Sequence, residues 1–400
     1  MSMKKRILAA VLACITALGV AGCAKNENSG ASVSSDSAGT SSDASNTSSG
    51  DSSTASEDSG ASSGESGDSS AESESSDGNT GASEHKYKLS NPNATESAAK
   101  VYDYICENFG KTMMAGQQES TWNDGNNPDY EMEMIESWTG KLPAVRGFDF
   151  MKEEWDDIVT RATAWWEKGG IVTICWHTGI NSMGTDGYKS SYEDVADWDK
   201  LFDENSEEHK AMLAHWDDAA AALARLQDAG VPVLWRPFHE FDGDFFWWAK
   251  GENGEKTDDG QYLTKLWKMM YDYYTNEKGL NNLIWVYGYG GTVKEGWYVG
   301  DEYCDIVGSD RYSYREDPTN KEGWAKLLTN ATETKPFAYH ECGNLVSSSK
   351  FEEDGAIWSW FMSWHSSYAE ANVGKRFGED TKELYNSELV ITLDELPSFK

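Results

Sequence analysis

The stretch VPVLWRPFHE, residues 231–240, decides how the rest of the chain is read. Its first half is nearly continuous apolar sequence, the pattern of a strand buried on both faces in a parallel sheet. Its second half turns polar and ends on Arg236, His239 and Glu240. Just before it, residues 209–229 carry a helical pattern that Gly230 and Pro232 stop. A helix feeding a buried strand is half of a parallel βαβ unit. Seven more runs of this kind flank it: TMMAGQQ (112–118), PAVRGFDF (143–150), GIVTICWH (170–177), NLIWVYGY (282–289), CDIVGSDRY (304–312), PFAYHEC (336–342) and AIWSWFMSW (356–364). Helical stretches at 153–168, 261–278 and 322–332 lie between them. Eight such units over about 250 residues predict an α/β fold, a (β/α)8 TIM barrel within one catalytic domain at 85–400. An open doubly wound sheet would carry a Gly-rich turn after its first strand, where this chain reads AGQQESTW (115–122). GYGGT at 288–292 is not a dinucleotide fingerprint.

Most of the runs end in polar or aromatic residues: Gln117 and Gln118, Asp149, Trp176 and His177, His239 and Glu240, Asp310 with Tyr312, Glu341, Trp364 and His365. In a barrel these ends share one rim, so they converge on one pocket. Glu240 closes the fourth run and Glu341 the seventh, which sets two carboxylates across that pocket. Such a pair is what cutting a glycosidic bond requires: an acid to protonate the leaving oxygen, and a carboxylate that attacks the anomeric carbon or activates water. A lone glutamate is normally a solvated surface charge. These two instead follow apolar strands, with Arg236 and His239 beside Glu240 and a Cys-Gly-Asn turn after Glu341.

The segment LWRPFHEFDGDFFWWAK (234–250) resembles the acid/base motif of glycoside hydrolase family 26, the β-mannanase family. The likeness continues through AGQQ, RGFDF, CWH, SDRY, YHECG and MSW and covers roughly residues 100–400. It implies an endo-acting, retaining β-1,4-mannanase, with Glu240 as acid/base and Glu341 as nucleophile. By the same resemblance His177, Arg236 and His239 contact the sugar or hold Glu240, and Tyr312 hydrogen-bonds Glu341. Asp310, Trp364 and the aromatic run Phe245, Trp247 and Trp248, together with Trp176 at the third strand end, line the subsites. Some members of the family cut mixed-linkage β-glucan or β-1,3-xylan. Two departures stand out: Phe245 where members often carry tryptophan, and His-Glu-Cys-Gly at 340–343 in place of the commoner Glu-Phe-Gly.

The N-terminus speaks to location. Lys4, Lys5 and Arg6 precede an apolar run from Ile7 to Val20, the form of a signal peptide. Val20, Ala21 and Gly22 before Cys23 resemble the lipobox of bacterial lipoproteins, which predicts a 1–23 leader and a lipid anchor on Cys23 at the extracellular face. Residues 24–84 are nearly all small, polar or acidic and predict a disordered linker. Their 12 acidic residues against Lys25 make up only about a third of the formal charge of −34. The remaining acidic field disfavours nucleic acid and suits a neutral polysaccharide. All 18 tryptophans fall after position 120, a density that suggests sugar-gripping faces and has a Trp-rich core as its alternative. Cys106, Cys175, Cys304 and Cys342 match no zinc spacing and are expected to be mostly buried thiols. No metal or cofactor is expected, and a monomer is. The competing class is a non-catalytic sugar-binding lipoprotein of a transporter, which would have two lobes, each with its own sheet.

Overall fold

The computed structural model describes residues 87–400 except 121–126, 185–186, 314 and 375. The expected leader with Cys23 and the expected linker at 24–84 lie outside the described residues. Eight parallel strands follow in order: β1 (Met113–Gln118), β2 (Val145–Asp149), β3 (Ile171–Trp176), β4 (Val233–Pro237), β5 (Leu283–Tyr289), β6 (Ile306–Arg311), β7 (Phe337–Cys342) and β8 (Trp360–Ser363). Each pairs with the next, and β1 closes the ring by pairing with both β8 and β2. A short ninth strand, β9 (Val390–Ile391), pairs alongside the start of β1. The barrel expected from the eight runs is therefore present, each strand within a few residues of its run.

Local chemistry explains the alternation. The helix Glu207–Asp228 starts where the Ser206 side chain accepts from the His209 amide at 2.9 Å, with Glu207 and Glu208 favourably placed in its first turn. Its apolar stripe, Met212, Trp216, Ala219, Leu223 and Leu226, is buried. It ends at Gly230, whose φ of 72° lets the chain turn back toward β4. The helix expected at 261–278 runs as Gln261–Tyr271 and then widens into a π turn over Asp272–Glu277.

Eleven of the 18 tryptophans are fully buried, among them Trp176, Trp216, Trp235, Trp267 and Trp285. They fill the core, where truncating a buried tryptophan to alanine costs about 3–5 kcal/mol. Tryptophan richness is thus a property of the core, which corrects the reading of it as a sugar-gripping surface. Cys106, Cys175, Cys304 and Cys342 are free and buried, as expected.

Two strand ends depart from regularity. β4 stops at Pro237, three residues short of Glu240. β7 pairs Ala338 with Gly308 but Glu341 with Asp310, and Tyr339 with Phe361 but Cys342 with Ser363. One extra residue is thus inserted in β7 relative to both neighbours, a bulge that re-aims the side chains around it.

Candidate active site

Beyond Pro237 the backbone takes left-handed φ values at Phe238 (50°) and Glu240 (52°). Each costs of order 1–3 kcal/mol and persists only where the surroundings fix it. Here the Phe238 ring is clamped among Trp216, Trp247 and Trp248, and the Glu240 amide donates to the Gly288 carbonyl at 2.8 Å. Glu240 as a residue is half-buried at the rim.

Glu341 is 1% exposed, and its two oxygens are held separately. Arg236 Nη2 donates to Oε1 at 2.7 Å, and the Tyr312 hydroxyl donates to Oε2 at 2.6 Å. His239 Nε2 stands 3.5 Å from Oε1. Arg236 and His239 were expected to contact the sugar or hold Glu240; Arg236 instead points into the barrel from β4 and holds Glu341, while His239 lies within reach of both glutamates. Tyr312 meets Glu341 as expected.

One oxygen of Glu240 and one of Glu341 lie within 4.8 Å of each other. Burial, then the neighbouring Glu341, pushes the Glu240 carboxyl up to about 8, against the opposing pull of His177, an Asp310 hydrogen bond and Arg236. Asp310 is fully buried and pushed well above the carboxylate range by burial, then by Glu341 and Glu240. Burial works against charge on His177, but Asp149, whose Oδ2 lies 2.5 Å from Nδ1, more than offsets it and raises the imidazole. Burial holds His239 well below the ordinary histidine value, so it is neutral. The site therefore juxtaposes a protonated carboxyl and a carboxylate fixed by two donors.

Among the other expected residues, Trp364 is 9% exposed at the rim, its ring 6.2 Å from that of His177, and Phe245 is partly buried against Tyr192 and Phe246. Trp176, Trp247 and Trp248 are not at the cleft. Strand alternation turns Trp176 outward against Trp155 and His215. The short turn Trp247–Ala249 folds its two indoles inward, where they donate at 2.9 Å to the carbonyls of Thr178 and His239. They support the loop rather than line it. Sequence reasoning missed Tyr188 and Tyr192, about 40% exposed, hydroxyl to hydroxyl at 2.5 Å. Tyr188 packs on His177 and Tyr192 on Phe245 and Phe246. Their signal was weak, two tyrosines in a Ser/Lys loop. Tyr368, 5.3 Å from Tyr312, was missed too.

Three sets of metal-ligating side-chain types crowd together here: Cys175, His177 and His239; His239, Glu240 and Glu341; and Asp310, His340 and Glu341. In each set a donor is already engaged, His177 by Asp149 and Glu341 by Arg236 and Tyr312.

The sequence model of glycosyl hydrolase family 26 matches residues 90–395. A mannan endo-1,4-beta-mannosidase of Thermothelomyces thermophilus is 32% identical over 78% of this chain and 64% of its own length. One of Bacillus subtilis is 28% identical over 72% of this chain and 84% of its own. The chain spans between half and two thirds of the length of the Thermothelomyces thermophilus and Piromyces relatives it matches. Among solved structures, a beta-mannanase from a symbiotic protist of the termite Reticulitermes speratus, complexed with gluco-manno-oligosaccharide, aligns with a TM-score of 0.66 and 32% identity over 78% of this chain and 98% of that one. A ruminal GH26 endo-beta-1,4-mannanase aligns with a TM-score of 0.69 and 29% identity over 79% and 72%.

Proposed function

The chain belongs to glycosyl hydrolase family 26, and from that premise we propose that it is an endo-β-1,4-mannanase that cleaves mannan, galactomannan or glucomannan with retention of anomeric configuration. The observation that carries this reading is the carboxyl pair: Glu240 and Glu341 with oxygens within 4.8 Å, the first raised to about 8 and the second held by two donors. Retaining enzymes keep their carboxyls about 5–5.5 Å apart, whereas inverting ones leave about 6.5–9.5 Å for a water.

In the first step Glu240 gives its proton to the glycosidic oxygen as the C–O bond breaks, and a Glu341 oxygen bonds to the anomeric carbon. In the second, ionised Glu240 takes a proton from water, which attacks the same carbon and releases Glu341. Arg236 and Tyr312 aim the attacking carboxylate. His177 and Trp364, with Phe245, Tyr188 and Tyr192 along one wall, offer the sugar hydrogen bonds and ring faces.

Reducing ends released from mannan, galactomannan, lichenan and β-1,3-xylan test the substrate. Release confined to lichenan or xylan would move the enzyme to one of the family's other specificities. A proton NMR time course tests the stereochemistry, and product appearing first as the inverted anomer would remove Glu341 from the nucleophile's role. The sugar-binding lipoprotein reading has little support, since the described residues form one closed barrel rather than two lobes. No described helix is long and apolar enough to cross a membrane. We place the enzyme, as a monomer, on the outer face of the cell through a lipid on Cys23. If Cys23→Ala leaves it in the membrane fraction, that placement is wrong.

A further inference from the structure

The β4 ladder ends at Pro237, yet Glu240 stays docked on β5, its amide donating to the Gly288 carbonyl at 2.8 Å. In a regular parallel pair the next bond of the ladder would run from the Gly290 amide back to the Glu240 carbonyl. That bond is missing. With φ at 52° the Glu240 peptide is turned away, and its carbonyl accepts from the Gly243 amide at 3.0 Å instead. The Gly290 amide donates to Oδ1 of Asp242 at 2.6 Å. Asp242 is 2% exposed, so its carboxyl sits inside the fold and fills the acceptor position that the backbone has given up. An aspartate oxygen commonly mimics a main-chain carbonyl in this way in turns.

The Gly290 peptide is gripped at both ends. Its amide meets Asp242, and its carbonyl accepts from the Ser309 hydroxyl on β6 at 3.1 Å. The Ser309 oxygen in turn accepts from Asn320 Nδ2 at 3.2 Å. This peptide lies directly against the acid. A Cβ at Gly290 would stand 3.7 Å from Glu240 Cα, 3.8 Å from Glu240 Cβ and 2.9 Å from Asp242 Oδ1. The loop after β4, the end of β5 and β6 therefore meet on one peptide beside Glu240. We propose that Asp242 is a positioning residue: its Oδ1 replaces the carbonyl that the left-handed turn at Glu240 removes from the ladder, and so fixes the aim of the acid. This rests on Glu240 being the acid. A general acid must come within about 2.6–3.2 Å of the oxygen it protonates, so a small relaxation of this strained turn takes the proton out of reach. Asp244, further along the same loop, pairs with Lys294 at 2.8 Å and Lys256 at 3.2 Å, and gives the loop a second tie that does not touch Gly290.

The test measures kcat/KM on mannan and on an aryl β-manno-oligoside with a good leaving group, whose departure needs little protonation. In Asp242→Ala the mannan value should fall at least about tenfold while the aryl value stays within about threefold. Asp242→Asn keeps a carbonyl oxygen for the Gly290 amide and should stay within about threefold of wild type on both. Equal losses on the two substrates, or an Asn variant that behaves like Ala, would overturn the assignment. Asp244→Asn drops both ion pairs and should leave the ratio of the two substrates unchanged; the same selective loss there would mean that any loosening of the loop suffices. If Asp242→Ala does not fold, Gly290→Ala drives a methyl against Oδ1 and should reproduce the selective loss, and wild-type rates on both substrates would refute the brace. Hydrogen exchange at the Gly290 amide needs no substrate. It should quicken at least about tenfold in Asp242→Ala and not in Asp242→Asn, and an unchanged rate in the Ala variant would remove the role of Asp242 even if the chain cut no mannan. Inactivity of the wild type on every β-glycan would instead sink the functional reading alone.

Discussion

The ends of β4 and β7 carry the same residue type to the same pocket by opposite means. β4 gives up its ladder at Pro237, and left-handed backbone at Phe238 and at Glu240 itself sets that carboxyl where burial and the neighbouring Glu341 disfavour its charge. β7 keeps its ladder past Glu341 by absorbing an extra residue, and it buries that carboxylate under an arginine and a tyrosine. The first environment raises a carboxyl pKa and the second supplies donors to an anion. Two identical side chains thereby acquire different jobs, and environment rather than residue type assigns the roles.

The sharpest way to break the contrast is Glu341→Ala. Turnover should drop by about 10⁴-fold or more while the variant still binds polymer in affinity electrophoresis. Near-normal release of reducing ends would end the assignment. Next in size is Arg236→Met, which strands a buried carboxylate, so a loss of about 3–5 kcal/mol is expected in urea unfolding. An unchanged midpoint would show that the pair contributes nothing to the fold. Tyr312→Phe removes one donor to an anion and should lower kcat about 10- to 100-fold with little change in the unfolding midpoint.

The smallest expected effect concerns pH. Since Glu240 titrates near 8 in the fold, above its ordinary value, its donating form is present below that pH, and activity should fall as pH rises through about 8. The sign for stability is the same. The contribution is complete below the ordinary carboxyl pKa and is lost as pH climbs through about 8. Glu240→Gln cannot ionise, so its Tm relative to wild type should climb steadily from about pH 4.5 to about pH 8 and level off above that. An advantage that is flat from pH 5 to 9 would place the raised pKa elsewhere.

The eight strands were legible because burial on both faces writes each as an apolar run, and because helix-period stretches separate several of them. Both glutamates were legible because a barrel puts every strand end at one rim. Partners were harder to read. Arg236 and His239 sit beside Glu240 in sequence, but pleating sends Arg236 inward to Glu341 across the barrel, which one-dimensional adjacency does not reveal. Trp176, Trp247 and Trp248 misled because an indole reads alike whether it stacks on a sugar or donates to a backbone carbonyl in the core. Tyr188 and Tyr192 lie in a short 3-10 turn, Gly187–Tyr192, whose sequence has neither period nor motif, and only the folded chain shows Tyr188 against His177 with Tyr192 beside it.

The extra residue in β7 also behaves like a shift of reading frame. Removing one residue between Tyr339 and Cys342 would restore a regular ladder and, by the strand's two-residue period, turn either His340 or Glu341 out toward the helices. A one-residue deletion there should therefore leave a well-formed barrel that has lost its chemistry. Relatives should be aligned at this point by counting ladder pairs rather than by matching letters.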